Sequence, residues 1–167
     1  MNSSVLQHIG RFLILIILQV AILNNINFLG YINPQLYVLA LLLYPFSGNR
    51  TTFLLVSFLL GLTIDMFCNS GGIHAAACLV LAYARPLVLR FSFGISYEYN
   101  TIRLSQVIFY ERFLYISILV LIHHLVLFSL EVFNVSDILY ILQKTLFTGV
   151  FTILLCLITN LLFKPSK

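Results

Sequence analysis

Long apolar runs broken by short polar clusters organise this chain from end to end. The first run extends from about Ile9 to Leu23 and stops at Asn24, Asn25 and Asn27. The second is opened by Asn33-Pro34 and covers Gln35 to Phe46, with Pro45 distorting its last turn. A third covers Thr51 to about Phe67, a fourth Gly72 to about Arg90, a fifth Phe113 to Phe133, and a sixth Ile138 to Phe163. A membrane-crossing helix needs about 20 predominantly apolar residues. The pattern therefore predicts an all-α polytopic membrane bundle of about six transmembrane helices, one domain over residues 1–167.

The second run is the short one. Twelve helical residues reach only about 18 Å, against a hydrocarbon core of roughly 30 Å, so a re-entrant segment and five crossings are the competing arrangement. At its start, Asn33 is placed to cap and Pro34 to occupy the first helical turn. Arg11 ahead of Phe12–Leu23 has the flank of a signal peptide, but Asn24, Asn25, Ile26 and Asn27 offer no small-x-small cleavage pattern. The first run is accordingly read as an uncleaved span.

Composition sharpens the membrane reading. Of 167 residues, 61% are hydrophobic and 8% charged, against roughly 25% charged in a soluble domain. The net charge of +4 is spread singly along the chain, which excludes the clustered basic patch of a nucleic-acid-binding protein. These charges report topology instead. With six spans and a cytoplasmic N-terminus, Arg11, Arg50, Arg85, Arg90, Arg103, Arg112, Lys164 and Lys167 fall inside and Lys144 outside, 8 against 1. Five spans give at best 7 against 2, so both termini are expected in the cytoplasm. Asp65, Glu131 and Asp137 then fall at outer ends, while Glu98 and Glu111 share a cytoplasmic segment with arginines. Tyr31, Tyr97, Tyr99, Tyr110 and Tyr140 lie near span ends, where an amphipathic ring suits the headgroup layer.

Candidate chemistry concentrates in Gly61-Leu62-Thr63-Ile64-Asp65 and the following Asn69-Ser70-Gly71-Gly72-Ile73-His74. Gly61 and Asp65 are four apart and share one helix face; a glycine there lets a neighbouring helix approach closely. Asp65 lies about 22 Å along its helix from Arg50, near the far interface, and Asn69–Gly72 carry turn chemistry for a helical hairpin. Two readings stand together: Asp65 and His74 form a polar contact or ligand site at the outer mouth, or Asp65 bonds His74 or the loop backbone and fixes the hairpin. His123 and His124 are mid-span and about 100° apart, so they cannot ligate one ion from one face; buried and hydrogen-bonded to neighbouring helices is the expected state, with a proton relay as the alternative. Arg85 is expected to snorkel toward the cytoplasmic headgroups and Pro86 to bend or break its helix, a structural pair with partner docking as the alternative role. Cys68, Cys78 and Cys156 form no CxxC pair and read as small packing residues. No nucleophile elbow, zincin or phosphate-loop motif occurs, so no enzyme activity, cofactor or metal is expected.

Asn33-Pro34 before a short second span, Gly61-Leu62-x-x-Asp65, and the Gly71-Gly72 turn resemble the rod shape-determining protein MreD family. Length, hydrophobic segmentation and a basic segment between the fourth and fifth spans are similar too; the absence of Trp and a long 92–110 segment are departures. The resemblance implies a fold like the substrate-capturing subunits of vitamin (energy-coupling factor type) transporters. It implies a non-catalytic inner-membrane subunit of the cell-elongation complex that supports peptidoglycan synthesis. Its implied partners are a bitopic MreC-like protein and, through it, a RodA-type glycosyltransferase with its transpeptidase and, indirectly, MreB. Pro34, Gly61, Asp65 and Gly71 are the positions that match the family, with His74 added as a candidate contact from the reading of the hairpin. A vitamin-capturing subunit is the alternative function, but Phe12–Leu23 carries a single Ala and no small-xxx-small spacing.

Overall fold

A computed structural model describes residues 3–28, 30, 32–45, 49–94, 104 and 107–162. Its α-helices are α1 (Ser3–Ala21), α2 (Val38–Leu42), α3 (Arg50–Cys68), α4 (Ile73–Phe93), α5 (Phe109–Val132) and α6 (Ile138–Leu162). Short 3-10 turns, Leu23–Asn25 and Val135–Asp137, follow α1 and precede α6. Helices α3 to α6 are long and apolar enough to cross a membrane. Phe46, Tyr31, Tyr97, Tyr99, Glu98, Arg103, Phe163, Lys164 and Lys167 lie outside the described residues.

The lipid-compatible surface has a helical period. On α6, Leu146, Val150, Leu154, Ile158 and Leu161 are exposed, while Thr145, Thr148, Gly149, Thr152, Cys156 and Asn160 are buried. The stripe at i, i+4 thus turns its apolar side outward, the reverse of a water-soluble helix. Gly149 sits where α6 meets α5, where an added Cβ would lie 3.3 Å from Leu121 Cδ2.

Successive long helices pack as neighbours, α3 on α4, α4 on α5 and α5 on α6. Contacts at the two ends fix their directions. The end of α1, residues 33–35, the end of α3, the start of α4, the end of α5 and the start of α6 meet at one end of the bundle. At the other, Tyr44 packs on Phe53 of α3, and Phe93 of α4 packs on Tyr115 of α5. Residues 33–44 therefore traverse the bundle interior in the direction opposite to α1 and α3.

That short segment is deeply enclosed among the described residues: Gln35, Leu36, Tyr37, Val38, Leu39, Leu41 and Leu42 are all buried, as is Ile32 just before it. It is helical only from Val38 to Leu42, not from Pro34. Asn33 does not cap it; its side chain pins the preceding turn, accepting from Asn27 N at 2.7 Å and donating to Asn27 Oδ1 at 2.9 Å. Nonhelical residues 33–35 advance the chain by up to about 3.3 Å each instead of 1.5 Å. A dozen residues consequently go further than an α-helix of that length.

Nonhelical backbone at membrane depth is tolerated only where protein satisfies its polar groups, and here side chains from other helices do so. At the start, Gln35 N donates to Thr152 Oγ1 of α6 (3.0 Å), Tyr37 N to Gln19 Oε1 of α1 (3.3 Å), and Gln19 Nε2 to the Pro34 carbonyl (3.0 Å). At the end, Arg85 of α4 donates to the Leu42 and Tyr44 carbonyls, and the Tyr115 hydroxyl of α5 donates to Leu42 O at 3.3 Å. Arg85 thus does not snorkel outward. It is 4% exposed, turned inward over the Phe53 ring, with Nε donating to Tyr115 Oη at 2.9 Å. The orphan carbonyls of a helix ending before Pro45 are a stronger attraction than the headgroup layer. Pro86 does not break α4, which continues to Phe93.

Candidate functional site

The α3–α4 turn is held by a clasp that the glycine–aspartate spacing makes possible. Gly61 faces the first turn of α4 so closely that a Cβ built on it would lie 2.5 Å from Ala75 Cα and 2.6 Å from His74 O. Four residues on, Asp65 is buried at the same contact. Its Oδ1 accepts from His74 N (3.0 Å) and its Oδ2 from Ala75 N (2.9 Å). Helix starts leave such N–H groups unpaired, and an N-cap side chain normally accepts from the second and third. The N-cap of α4 is Gly72, which has no side chain and sits at φ +100°. Asp65 supplies the missing cap from the preceding helix, and its negative charge faces the positive end of the α4 dipole.

Turn geometry completes the clasp. Asn69, Gly71 and Gly72 all have positive φ, and the Asn69 and Ser70 amides both bond the Asp65 carbonyl. Ser70 Oγ donates to Asp65 Oδ1. Asp65 bonds the loop and the α4 backbone, meeting the His74 amide and not its ring. Asp65→Asn turns an amide donor toward one of these N–H groups. It is expected to cost about 1–3 kcal/mol, read as a lower melting temperature in detergent; an unchanged melt would remove Asp65 from this role.

The His74 ring points elsewhere. Its Nδ1 lies 2.8 Å from the Tyr37 hydroxyl, which lies 2.9 Å from His123 Nε2. One phenol proton serves only one acceptor, so at least one imidazole donates to the Tyr37 oxygen. Cys78 Sγ stands 4.0 Å from the same His123 nitrogen. His124 turns the other way, to Thr152 Oγ1 at 3.1 Å and the Val120 carbonyl at 2.8 Å. The two histidines thus serve different neighbours, as their angular separation on α5 requires. Cys78 and Cys156 are buried; Cys68 is exposed and accepts from Asn24 Nδ2 at 3.1 Å.

Sequence reasoning singled out neither Tyr37 nor Gln19, the two residues that join most of this network. Gln19 was legible as a lone carboxamide inside the first apolar run, a position where polar groups need partners. Above the network, at the end of the bundle shared by Asp65 and Lys144, opens a cavity of about 400 Å³. Its walls include Asn24, Asn33, Gln35, Ser70 and His74 together with Leu127, Phe128, Glu131 and Lys144. Pro34, Gly61 and Gly71 do not line it; Pro34 and Gly61 act on backbone packing and Gly71 on the turn. Among the described residues, no group of three or more His, Cys, Asp or Glu is arranged to hold a metal ion.

The class defined by these features is an all-helical membrane bundle with a polar interior and a cavity at one mouth. Searches against family models, curated proteins and solved structures find no match to this chain.

Proposed function

We propose that the chain is a non-catalytic subunit of the bacterial cell-elongation complex of the MreD kind, crossing the inner membrane six times with both termini in the cytoplasm. It binds an MreC-like bitopic protein and, through it, stands beside the RodA-type glycosyltransferase, its transpeptidase and MreB. The observation that carries this reading is how the motif residues are used. Gly61 and Asp65 hold α4, Gly71 shapes its turn, Asn33 pins the α1–α2 connection, and Pro34 accepts from Gln19. A motif devoted to the protein's own backbone fits a subunit that acts through shape, presenting lipid-facing helix surfaces to partners. The alternating directions of α1, residues 33–44 and α3 to α6 support six crossings. The placement of Arg50 and Arg112 at one end and Lys144 at the other supports the orientation.

The direct test is co-purification of the tagged chain with the MreC-like protein of the same genome, co-expressed and extracted in mild detergent. Stable co-elution is expected; a folded, monodisperse chain that leaves its candidate partner behind sinks the proposal. The cavity favours a second reading, a vitamin-capturing transporter subunit. Saturable vitamin binding by the purified protein would establish that alternative.

A further inference from the structure

The cavity has a charge pattern that the scaffold reading does not use. Of its lining residues, Lys144 and Glu131 bear formal charge, and they face each other across α5 and α6 with Nζ–Oε1 at 2.7 Å. Lys144 is drawn in, its side chain 13% exposed and its ammonium 4.7 Å from the Phe128 ring centroid, while Glu131 is 47% exposed at the mouth. The wall is therefore electrically neutral but carries both signs side by side.

Carboxamides also line it and are already fixed in place. Gln19 Nε2 donates to Asn24 Oδ1 at 2.8 Å, and Gln35 Nε2 donates to the Asn33 carbonyl at 3.0 Å. His74 has Nδ1 committed to Tyr37, which leaves Nε2 as its remaining ring nitrogen. Specific small-molecule sites combine an apolar wall with a few positioned polar groups, in volumes of about 300–1,000 Å³; Leu127, Phe128 and Ile73 supply the wall.

We infer that this cavity binds a zwitterionic group, an ammonium and an anion a few bonds apart, inserted between Lys144 and Glu131. The ligand's anion takes Lys144, its ammonium takes Glu131, and one ion pair becomes two. A cation alone on Glu131 would leave the drawn-in Lys144 unmatched. An anion alone on Lys144 would sit beside the Glu131 carboxylate, 2.7 Å away in the free protein, so like charges repel. Both select for a ligand that carries the two signs. Two sources share this chemistry: a free amino acid or short peptide, and the phosphoethanolamine headgroup of a membrane lipid. The inference is independent of the MreC-binding proposal.

The test uses the full chain in an uncharged maltoside detergent. Calorimetry with alanine and dialanine probes the free source. Native mass spectrometry after reconstitution with phosphatidylethanolamine or phosphatidylglycerol probes the lipid source. Saturable binding of a zwitterionic probe from one source is expected, reduced at least tenfold by Lys144→Met. Because that variant breaks an ion pair, the exchanged pair Glu131→Lys with Lys144→Glu is measured beside it. That variant should melt like the parent and keep binding a free zwitterion, which can turn around; a lipid headgroup, oriented by its chains, should be lost. The inference is overturned if no zwitterion binds the folded protein. It is equally overturned if glucose, acetate or methylammonium binds as well as the zwitterion, or if folded Lys144→Met binds like the parent.

Discussion

Gly61→Ala is expected to prevent the bundle from closing at the α3–α4 hairpin. The added methyl would meet three backbone atoms of α4, Ala75 Cα at 2.5 Å, His74 O at 2.6 Å and Ala75 N at 2.7 Å. Backbone cannot rotate away as a side chain can, so α4 must shift. That shift also pulls the His74 and Ala75 amides off Asp65. Overpacking alone costs about 1–3 kcal/mol, and two hydrogen bonds to a carboxylate add about 1.5–3 kcal/mol each. A loss of about 4 kcal/mol or more is expected, seen as aggregation on extraction or a melting temperature roughly 10 °C or more lower. Gly10→Ala is the control: nothing stands within 4 Å of its added methyl, and it should extract and melt like the parent. Equal behaviour of the two variants would refute the close approach.

The second large effect belongs to Arg85. Arg85→Met keeps much of the aliphatic stem but removes the guanidinium donors that tie α4 to the end of α2. The Tyr44 carbonyl loses its Arg85 donor, and Leu42 O retains Tyr115 at 3.3 Å. Unsatisfied polar groups at membrane depth cost several kcal/mol, so a loss of about 3–5 kcal/mol is expected in reversible unfolding. Arg85→Lys should recover part of it, since an ammonium reaches fewer acceptors than the planar guanidinium fork. An Arg85→Met protein as stable as the parent would show that the end of α2 is held by something else.

Local spacing explains what was legible in advance. Gly61 and Asp65 share a face because helices repeat every 3.6 residues, and that face turned out to be the one α4 occupies. The divergence of His123 and His124 follows from the same geometry. Arg85 was misread because its fate is decided by carbonyls more than forty residues away, at Leu42 and Tyr44, that exist only because α2 stops short. Asn33 was misread for a related reason: an Asn-Pro pair before an apolar run reads locally as a helix start, yet the helix waits until Val38. Tyr37 escaped notice because nothing in its neighbourhood along the chain announces two histidines, one on α4 and one on α5.

The enclosed segment 33–44 has a consequence for biogenesis. Its polar backbone is satisfied by Gln19, Arg85, Tyr115 and Thr152, so its last partner is made 117 residues after Gln35. Until α6 emerges from the ribosome, this stretch has no complete set of acceptors and donors inside the bilayer. Its hydrogen bonding is therefore complete only once α6 has joined the bundle, which makes the enclosed segment dependent on the last helix of the chain.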